Sequence, residues 1–426
     1  MHSTPSTDQG ATSDPQHATG DAEQAVRPVK YRMWLQALAA LTVASTFLLI
    51  GIGGHVTSTG SGLAVPDWPT TFGYDMITAP PRVWAHNIGT FVEHSHRLKG
   101  TVVGLLTIAL AFSLLFTNFR RPWLVWTGFG LLGAVIVQGI LGGFRVTEIS
   151  YVLAFLHGIL GQLVFCVTVL IAAATGRTWL RLAPRVVEWA KQPRWARGMQ
   201  WLAIAVIGVL VLQLVLGAAV RHAGAGRAIP DFPTAYGKWI PPMSTESLRE
   251  TATAWEAANP DDAVWLPHNR LDETQAGASM TEPQMEQALW SLLTTQVQLQ
   301  FAHRLFAIVV LAAVLGLVGW IMWKAPGRGE LVTPTMWIAV LILLQVLLGA
   351  ATVWTQRLPE IATAHQATGA LLLAIATWLA ARVCLVTGQP ETLPQTAPAA
   401  SETPRDASAS AVAENQPAPR LKGAAV

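Results

Sequence analysis

Hydrophobic residues along this chain form eight long runs separated by polar connections. The runs span residues 34–54, 89–117, 123–143, 151–174, 200–220, 296–323, 334–354 and 361–384. A helix that crosses a bilayer needs about 20 mostly apolar residues, and each run comes close to that length or exceeds it. The pattern therefore predicts an all-α integral membrane protein with eight transmembrane helices.

The charged residues favour the same class of protein and predict its orientation. Only 12% of the residues are charged, whereas soluble domains carry about 25%. Basic residues cluster near one set of helix ends: Arg27, Lys30, Arg32, Arg120, Arg121, Arg177, Arg181, Arg185, Lys191, Arg194, Arg197, Lys324 and Arg328. Because such clusters favour the cytoplasmic side, we expect a multi-pass protein of the bacterial cell membrane with both termini in the cytoplasm. The connections then expected outside are 55–88, 144–150, 221–295 and 355–360.

The two ends and the two cysteines have simpler interpretations. The first 26 residues are polar and lack the features of a signal or transit peptide, and we expect residues 1–33 to form a disordered tail. Residues 386–426, rich in Ala, Pro, Thr and Ser, are expected to form a second one. Cys166 and Cys384 belong to apolar runs, so we interpret them as core residues rather than as a disulfide.

The sequence repeats itself across its two halves. Residues 62–70 read GLAVPDWPT and residues 226–234 read GRAIPDFPT. The stretch EHSHR that begins at Glu93 returns as QFAHR at Gln300, in both cases at the start of an apolar run. An even number of spans separates the two copies, so the repeats have the same orientation.

The repeat predicts two tandem, pseudo-symmetric four-helix bundles. We place them at residues 34–175 and 200–385, joined by a basic cytoplasmic linker at 176–199. The second bundle contains an additional outer segment at about 241–290. This segment shows no apolar periodicity, and we interpret it as a surface excursion.

Four histidines lie at one depth, two in each repeat. His96, His157, His303 and His365 are each five to seven residues inside the outer end of their run, which corresponds to about 10 Å. Two imidazoles from different helices of one bundle can hold an iron between them, and histidine is a common axial ligand of haem iron. Zinc is disfavoured, because two ligands per bundle fall short of its usual set. We therefore expect a metal or haem site in each bundle.

The remaining histidines do not share this depth, and we expect interface or loop roles for them: His55, His86, His94, His222 and His268. His94 stays open, because it precedes His96 by two residues. Arg97 and Arg304 directly follow two of the candidate ligands. They either extend toward the membrane surface or pair with haem propionates, since arginine binds carboxylates well.

One position separates the two repeats chemically. Glu93 lies one helical turn before His96 and projects on the same helix face, whereas the second repeat has Gln300 there. A carboxylate beside a haem can move protons or stabilise a developing cation, and an amide cannot. This predicts one reactive and one supporting bundle. In the alternative interpretation, Glu93 is an interfacial acid that pairs with Arg97.

With these motifs the sequence resembles the haem A synthase family over nearly all of residues 30–385. The resemblance implies that His303 and His365 hold a haem B cofactor and that His96 and His157 flank the iron of haem O, the substrate. It also implies that Glu93 is the catalytic residue and that a porphyrin methyl group is oxidised stepwise to a formyl group. Arg97, Arg304 and Arg221 are then candidates for propionate contacts.

The resemblance also implies partners. These are the haem O substrate, haem O synthase, cytochrome oxidase assembly factors, an electron acceptor or donor and the lipid bilayer, with no nucleic acid. The chain departs from the family at two places. Val65 and Thr71 stand where many bacterial members have a cysteine pair, and Thr57 and its neighbours stand where an arginine is usual. A disulfide-based role for the first outer loop is therefore excluded.

Two other functions compete with an enzyme. A transmembrane bis-histidine di-haem electron carrier explains the four histidines, but it gives no reason for a carboxylate in one half alone. A transporter with a histidine proton relay suits tandem repeats. However, its substrate site is expected near the midplane, whereas these histidines lie in the outer third of the membrane.

Overall fold

The computed structural model describes residues 30–260 and 281–389, and the described residues are mainly helical. Each of the eight predicted runs lies in one long helix, and each helix is long and apolar enough to cross a membrane. The predicted all-α, eight-helix membrane class is therefore confirmed. The helices are α1 (Met33–Ser58), α2 (Ile88–Asn118), α3 (Pro122–Thr147), α4 (Tyr151–Thr175), α5 (Arg194–His222), α6 (Glu282–Lys324), α7 (Gly329–Trp354) and α8 (Pro359–Thr387).

The eight helices pack as two closed rings of four helices each. In the first, α1 packs on α2, α2 on α3, α3 on α4 and α4 on α1; α5 to α8 repeat the pattern. The two rings meet because α8 also packs on α1 and α4. As a result, 61% of the most apolar stretch of α8 is buried, against 17–33% in the other seven helices. These contacts support the predicted division into two bundles, which stays a prediction.

Part of the contact between the rings is apolar. Phe165 and Val169 of α4 form a buried cluster with Ala370 and Ala374 of α8. The small alanines let the two helices approach closely, which is how helices commonly associate in membranes.

The interpretation of 241–290 as a segment without periodicity is wrong in part. A helix runs over Thr245–Ala258 and begins at the capping residue Ser244, and α6 already begins at Glu282. Leu248 and Ala252, four residues apart, are fully buried against Trp290, Leu293 and Val297 of α6. A stripe of two small or medium residues is too narrow to recognise in the sequence. Residues 261–280, with His268, lie outside the described residues, as do 1–29 and 390–426.

The connections at the two membrane faces differ in character. One face, called here the loop face, carries loop A (residues 59–87) and loop B (residues 223–244). Loop A contains a short antiparallel ribbon of β1 (Thr70–Thr71) and β2 (Tyr74–Asp75). The opposite face, called the basic face, carries the arginine-rich connection 176–193, which folds into a short helix over Arg177–Leu182 and two 3-10 turns.

Candidate functional site

Glu93 and Arg97 of α2 hold loop A. Glu93 is only 2% exposed. One of its carboxylate oxygens accepts a hydrogen bond from the N–H of Val65 at 2.8 Å, and the other pairs with Arg97 at 2.9 Å. The Arg97 guanidinium also donates to the carbonyl groups of Val65, Asp67 and Thr70, at 2.8, 2.6 and 3.1 Å. The ion pair therefore exists, and it also fixes the loop above the bundle.

Gln300 and Arg304 of α6 hold loop B in the same way. The Gln300 side-chain oxygen accepts a hydrogen bond from the N–H of Ile229 at 2.7 Å. Arg304 donates to the carbonyl groups of Ile229, Asp231 and Thr234 at 3.4, 2.9 and 3.0 Å. Glutamine thus reproduces the loop contact of Glu93 without its charge. What Glu93 adds to this position is a carboxylate and its ion pair with Arg97.

Each loop is shaped by an aspartate that accepts three local hydrogen bonds. Asp67 accepts them from the hydroxyl of Thr70 and the N–H groups of Phe72 and Gly73. Burial raises the pKa of the Asp67 carboxyl, but these hydrogen bonds outweigh burial and hold the pKa below its usual value. The three donors to Asp231 of loop B come from Thr234, Tyr236 and Gly237.

Each candidate ligand histidine lies against a glycine of the preceding helix. A methyl group added at Gly53 of α1 would lie 2.8 Å from Cε1 of His96. The other three pairs show distances of 3.0–3.1 Å: Gly142 with His157, Gly217 with His303 and Gly349 with His365. A side chain at any of these four positions would press against the imidazole, and glycine avoids this. The same helix-to-helix contact thus recurs at all four histidines.

The structure brings His96 and His157 together. Their ring centroids are 6.5 Å apart and the ring planes are inclined by 70°. A metal–imidazole bond is about 2 Å long, so one metal atom between two rings places the centroids roughly 6 Å apart. His303 and His365 also interact electrostatically with each other. The rings of the first pair are therefore separated by a distance compatible with one iron atom between them, and the ligand roles of both pairs stay predictions.

Several polar atoms around the histidines have no hydrogen-bond partner among the described residues. They include buried Nδ1 of His96, His303 and His365. Leaving buried polar atoms unpaired costs free energy. Binding of a metal by the imidazole is one way to offset this cost. Within residues 30–260 and 281–389, no three His, Cys, Asp or Glu side chains are grouped to hold a metal ion. A metal at these pairs therefore needs further ligands, which a porphyrin supplies to haem iron.

Three glutamines beside the histidines were not predicted as site residues. Gln138 of α3 donates to the backbone carbonyl of His157 at 2.6 Å, and Gln213 of α5 donates to that of His303 at 3.1 Å. Gln345 of α7 lies against Gly369 of α8. The side-chain oxygens of all three are buried without a partner. The recurrence of glutamine four residues before Gly142, Gly217 and Gly349 is the sequence signal for them.

Arg145 of α3 was also missed, and it belongs to the first site. It interacts electrostatically with Glu93, His96 and His157. Its Nη2 donates a hydrogen bond of 3.1 Å to the carbonyl of Gly62 in loop A. The corresponding residue of α7 is Thr352, since Gln138 and Gln345 start the two motifs. An arginine at the helix end opposite the basic clusters is unusual, and this could have identified it.

Arg221, a predicted propionate contact, connects the two halves. From the end of α5 it donates to the hydroxyl of Ser58 at 2.6 Å and to the carbonyl of Gly54 at 3.4 Å, both in α1. It also donates to the side-chain oxygen of Gln366, the neighbour of His365 in α8. The propionate roles of Arg97, Arg304 and Arg221 stay predictions.

His94 makes loop contacts. It is 1% exposed, its ring stacks on Trp84 at 4.5 Å, and its Nδ1 lies 3.1 Å from the hydroxyl of Thr71. Thr71 occupies one of the two positions at which a cysteine was expected from the resemblance, and Val65 occupies the other. Both side chains are fully buried, so loop A packs closely here without a disulfide.

Comparison with known proteins gives one consistent result. Residues 36–377 match the profile of a family described as "Cytochrome oxidase assembly protein". Similar proteins include the "Heme A synthase" of Beijerinckia indica, 28% identical over 78% of this chain and 86% of that protein. Those of Rhizorhabdus wittichii and Cereibacter sphaeroides are 25% and 26% identical, over 83% and 84% of this chain and 93% and 87% of theirs.

Proposed function

The chain belongs to the COX15-CtaA family of cytochrome oxidase assembly proteins, and we propose that it is a haem A synthase. This enzyme is an oxidoreductase that converts a methyl group of haem O to a formyl group. The observation that carries the proposal is one difference between two similar sites. Glu93, one helical turn before His96, carries a carboxylate, whereas Gln300, one helical turn before His303, carries an amide.

The difference supports the following assignment of the two sites. His96 and His157 flank the iron of the substrate, haem O, because the carboxylate lies one helical turn from His96. His303 and His365 hold haem B, which supplies one-electron chemistry at its iron when bound. The glycines that face the four rings keep each imidazole in one position.

The reaction replaces methyl C–H bonds with C–O bonds in two successive oxidations, each of which takes one oxygen atom from water and releases two electrons and two protons. The first gives an alcohol and the second a hydrated aldehyde, which loses water to leave the formyl group. The electrons pass to an external acceptor. Glu93 accepts a proton or stabilises positive charge that develops on the substrate. Its hydrogen bond from Val65 and its ion pair with Arg97 hold the carboxylate in place for either role.

Loop A limits the access of water to this site. Trp68 lies directly on Gly143 of α3 and makes an edge contact with Phe144. Gly143 follows Gly142, which touches the His157 ring. Excluding water from a reactive site strengthens its electrostatic interactions and prevents side reactions. We therefore assign Trp68 and its loop the role of a cover over the substrate site.

The orientation and partners follow from the same proposal. The basic face is cytoplasmic, since arginine and lysine favour that side, and both histidine pairs then lie toward the outer surface of the cell membrane. Haem O arrives from a haem O synthase, and haem A passes to assembly of haem-copper oxidases.

Identification of the bound haems tests the proposal. We expect the full-length protein, purified from cells that also make haem O, to contain haem B together with haem O, its hydroxylated form or haem A. Extraction followed by chromatography and mass measurement identifies them. Haem B alone, in two copies per chain and unchanged when haem O is abundant, would instead establish an electron carrier.

Arg145 is expected to bind a propionate of haem O. It is the arginine near Glu93 and both first-site histidines, and its guanidinium has donors beyond the one used by Gly62. Arg145→Thr installs the residue of the second half, and loss of a hydrogen bond to a charged group should raise KM for haem O about 10- to 100-fold. Arg145→Lys should recover part of this loss. An unchanged KM in the threonine variant would exclude the contact.

A further inference from the structure

A half-enclosed cavity of about 260 Å³ lies at the basic face, between the two helix rings. We call it the basic-face pocket. Its wall is formed by Gln36 of α1, Ala173 of α4, Arg177 and Trp179 of the short helix after α4, and Trp378 and Arg382 of α8. It is at the opposite end of the bundle from the histidines, so the haem sites do not explain it.

Two arginines give the pocket its charge. The Arg177 guanidinium lies over the ring of Tyr31, 4.6 Å from its centroid. Arg382 lies over Trp378 at 4.2 Å and donates to the backbone carbonyl of Glu330 at 3.0 Å. Among the described residues, no carboxylate lies within ion-pair distance of either arginine.

One acidic side chain does act on the pocket. The Glu330 carboxylate attracts Arg382, but its ion pair, at 3.3 Å, is with Arg181. Among the described residues, the pocket wall thus carries two arginines and no carboxylate, and the nearby Glu330 is already paired with Arg181. The cations exceed the anions, and the pocket is suited to an anion.

The position of the pocket identifies the class of anion. Trp179 and Trp378 supply aromatic walls, and tryptophan concentrates at the level of the lipid headgroups. Arginine forms paired hydrogen bonds with phosphate oxygens. Basic pockets between transmembrane helices on the cytoplasmic side bind phospholipid headgroups. A soluble anion would not need the apolar walls that Trp378 and Leu385 provide.

We propose that the basic-face pocket binds the phosphate headgroup of an anionic phospholipid through Arg177 and Arg382. The lipid contacts α1 and α4 of the first ring and α8 of the second. It therefore stabilises the packing of the two rings against each other.

Native mass spectrometry of the full-length protein tests this proposal, with phosphatidylglycerol and phosphatidylcholine as the added lipids. The protein should retain phosphatidylglycerol preferentially, and R177Q/R382Q should lower that retention at least about tenfold, since each lost bond joins charged groups. The control R120Q/R194Q removes two exposed arginines of the same face outside the pocket and should retain the lipid normally. If the double variant does not fold, R177Q alone is compared with the parent protein instead, because it changes only an exposed side chain.

Each contrary result excludes the proposal in a distinct way. Equal retention by R177Q/R382Q and the control would mean that the pocket does not hold the lipid. Equal retention of phosphatidylcholine would mean that the headgroup charge is not recognised. If inorganic phosphate at the concentration of the lipid displaces it, the pocket is a site for soluble anions. Thermal unfolding provides a second readout, because a bound lipid raises Tm in the parent protein and the control only.

Discussion

Glu93→Gln is expected to lower the rate of haem A formation by about 10²- to 10⁴-fold, the usual contribution of a positioned acid or base. The fold and the haem content should be unchanged. Gln300 shows why: its side-chain oxygen accepts the loop N–H at 2.7 Å, as Glu93 does at 2.8 Å. The substitution therefore removes the charge and keeps the loop contact. Single-turnover conversion of haem O by the purified variant measures the rate, and the absorbance spectrum measures the haem content.

The second half provides a matched control for this variant. Gln300→Glu places a carboxylate at the corresponding position, within reach of Arg304, and should not restore turnover in Glu93→Gln/Gln300→Glu. If the double variant regains activity, total charge matters and not the position of the acid. If Glu93→Gln alone forms haem A at the normal rate, the catalytic assignment of Glu93 is wrong.

His303→Ala and His365→Ala should each deplete haem B from the purified protein. Losing a hydrogen-bond partner of a metal ligand already costs about 10- to 100-fold in affinity, and losing the ligand itself costs more. His96→Ala and His157→Ala should retain haem B and lose haem O and its products instead. The ratio of haem B to protein, from the absorbance of the extracted haem, distinguishes the two groups.

The exposed loop residue His86 supplies the control, since His86→Ala removes an imidazole from the loop face without touching either pair. Added imidazole should restore part of the haem B in His303→Ala and His365→Ala, which separates ligand loss from misfolding. Normal haem B content in both variants would exclude the cofactor site at these histidines.

The sequence predicts the spans well because one effect dominates them. About 20 apolar residues in lipid leave the backbone no alternative to a helix, and each of the eight predicted runs lies within a helix. The N-terminal part of α6 was missed for the opposite reason. Trp290, Leu293 and Val297 are buried in a cluster with loop B and the helix Thr245–Ala258. That contact depends on tertiary structure and leaves little trace in local hydropathy.

The site was predicted in part. The matched depth of the four histidines identified both pairs, and the spacing of Glu93 and Arg97 suggested their ion pair. The hydrogen bonds from Arg97 to loop A could not be predicted from the spacing of residues along the helix, because Arg97 reaches carbonyl groups 27–32 residues away in the chain. Arg145 was missed because α3 approaches α2 only in the folded bundle. The catalytic and ligand roles themselves stay predictions.

The length of α6 has a practical consequence for imaging. Its 43 residues correspond to roughly 65 Å at 1.5 Å per residue, about twice the thickness of the hydrocarbon core. The first-half counterpart, α2, has 31 residues. The N-terminal end of α6, with the helix Thr245–Ala258 packed on it, therefore extends further beyond a hydrocarbon core than α2 does. In electron micrographs this end is a landmark by which particles of this small membrane protein can be aligned.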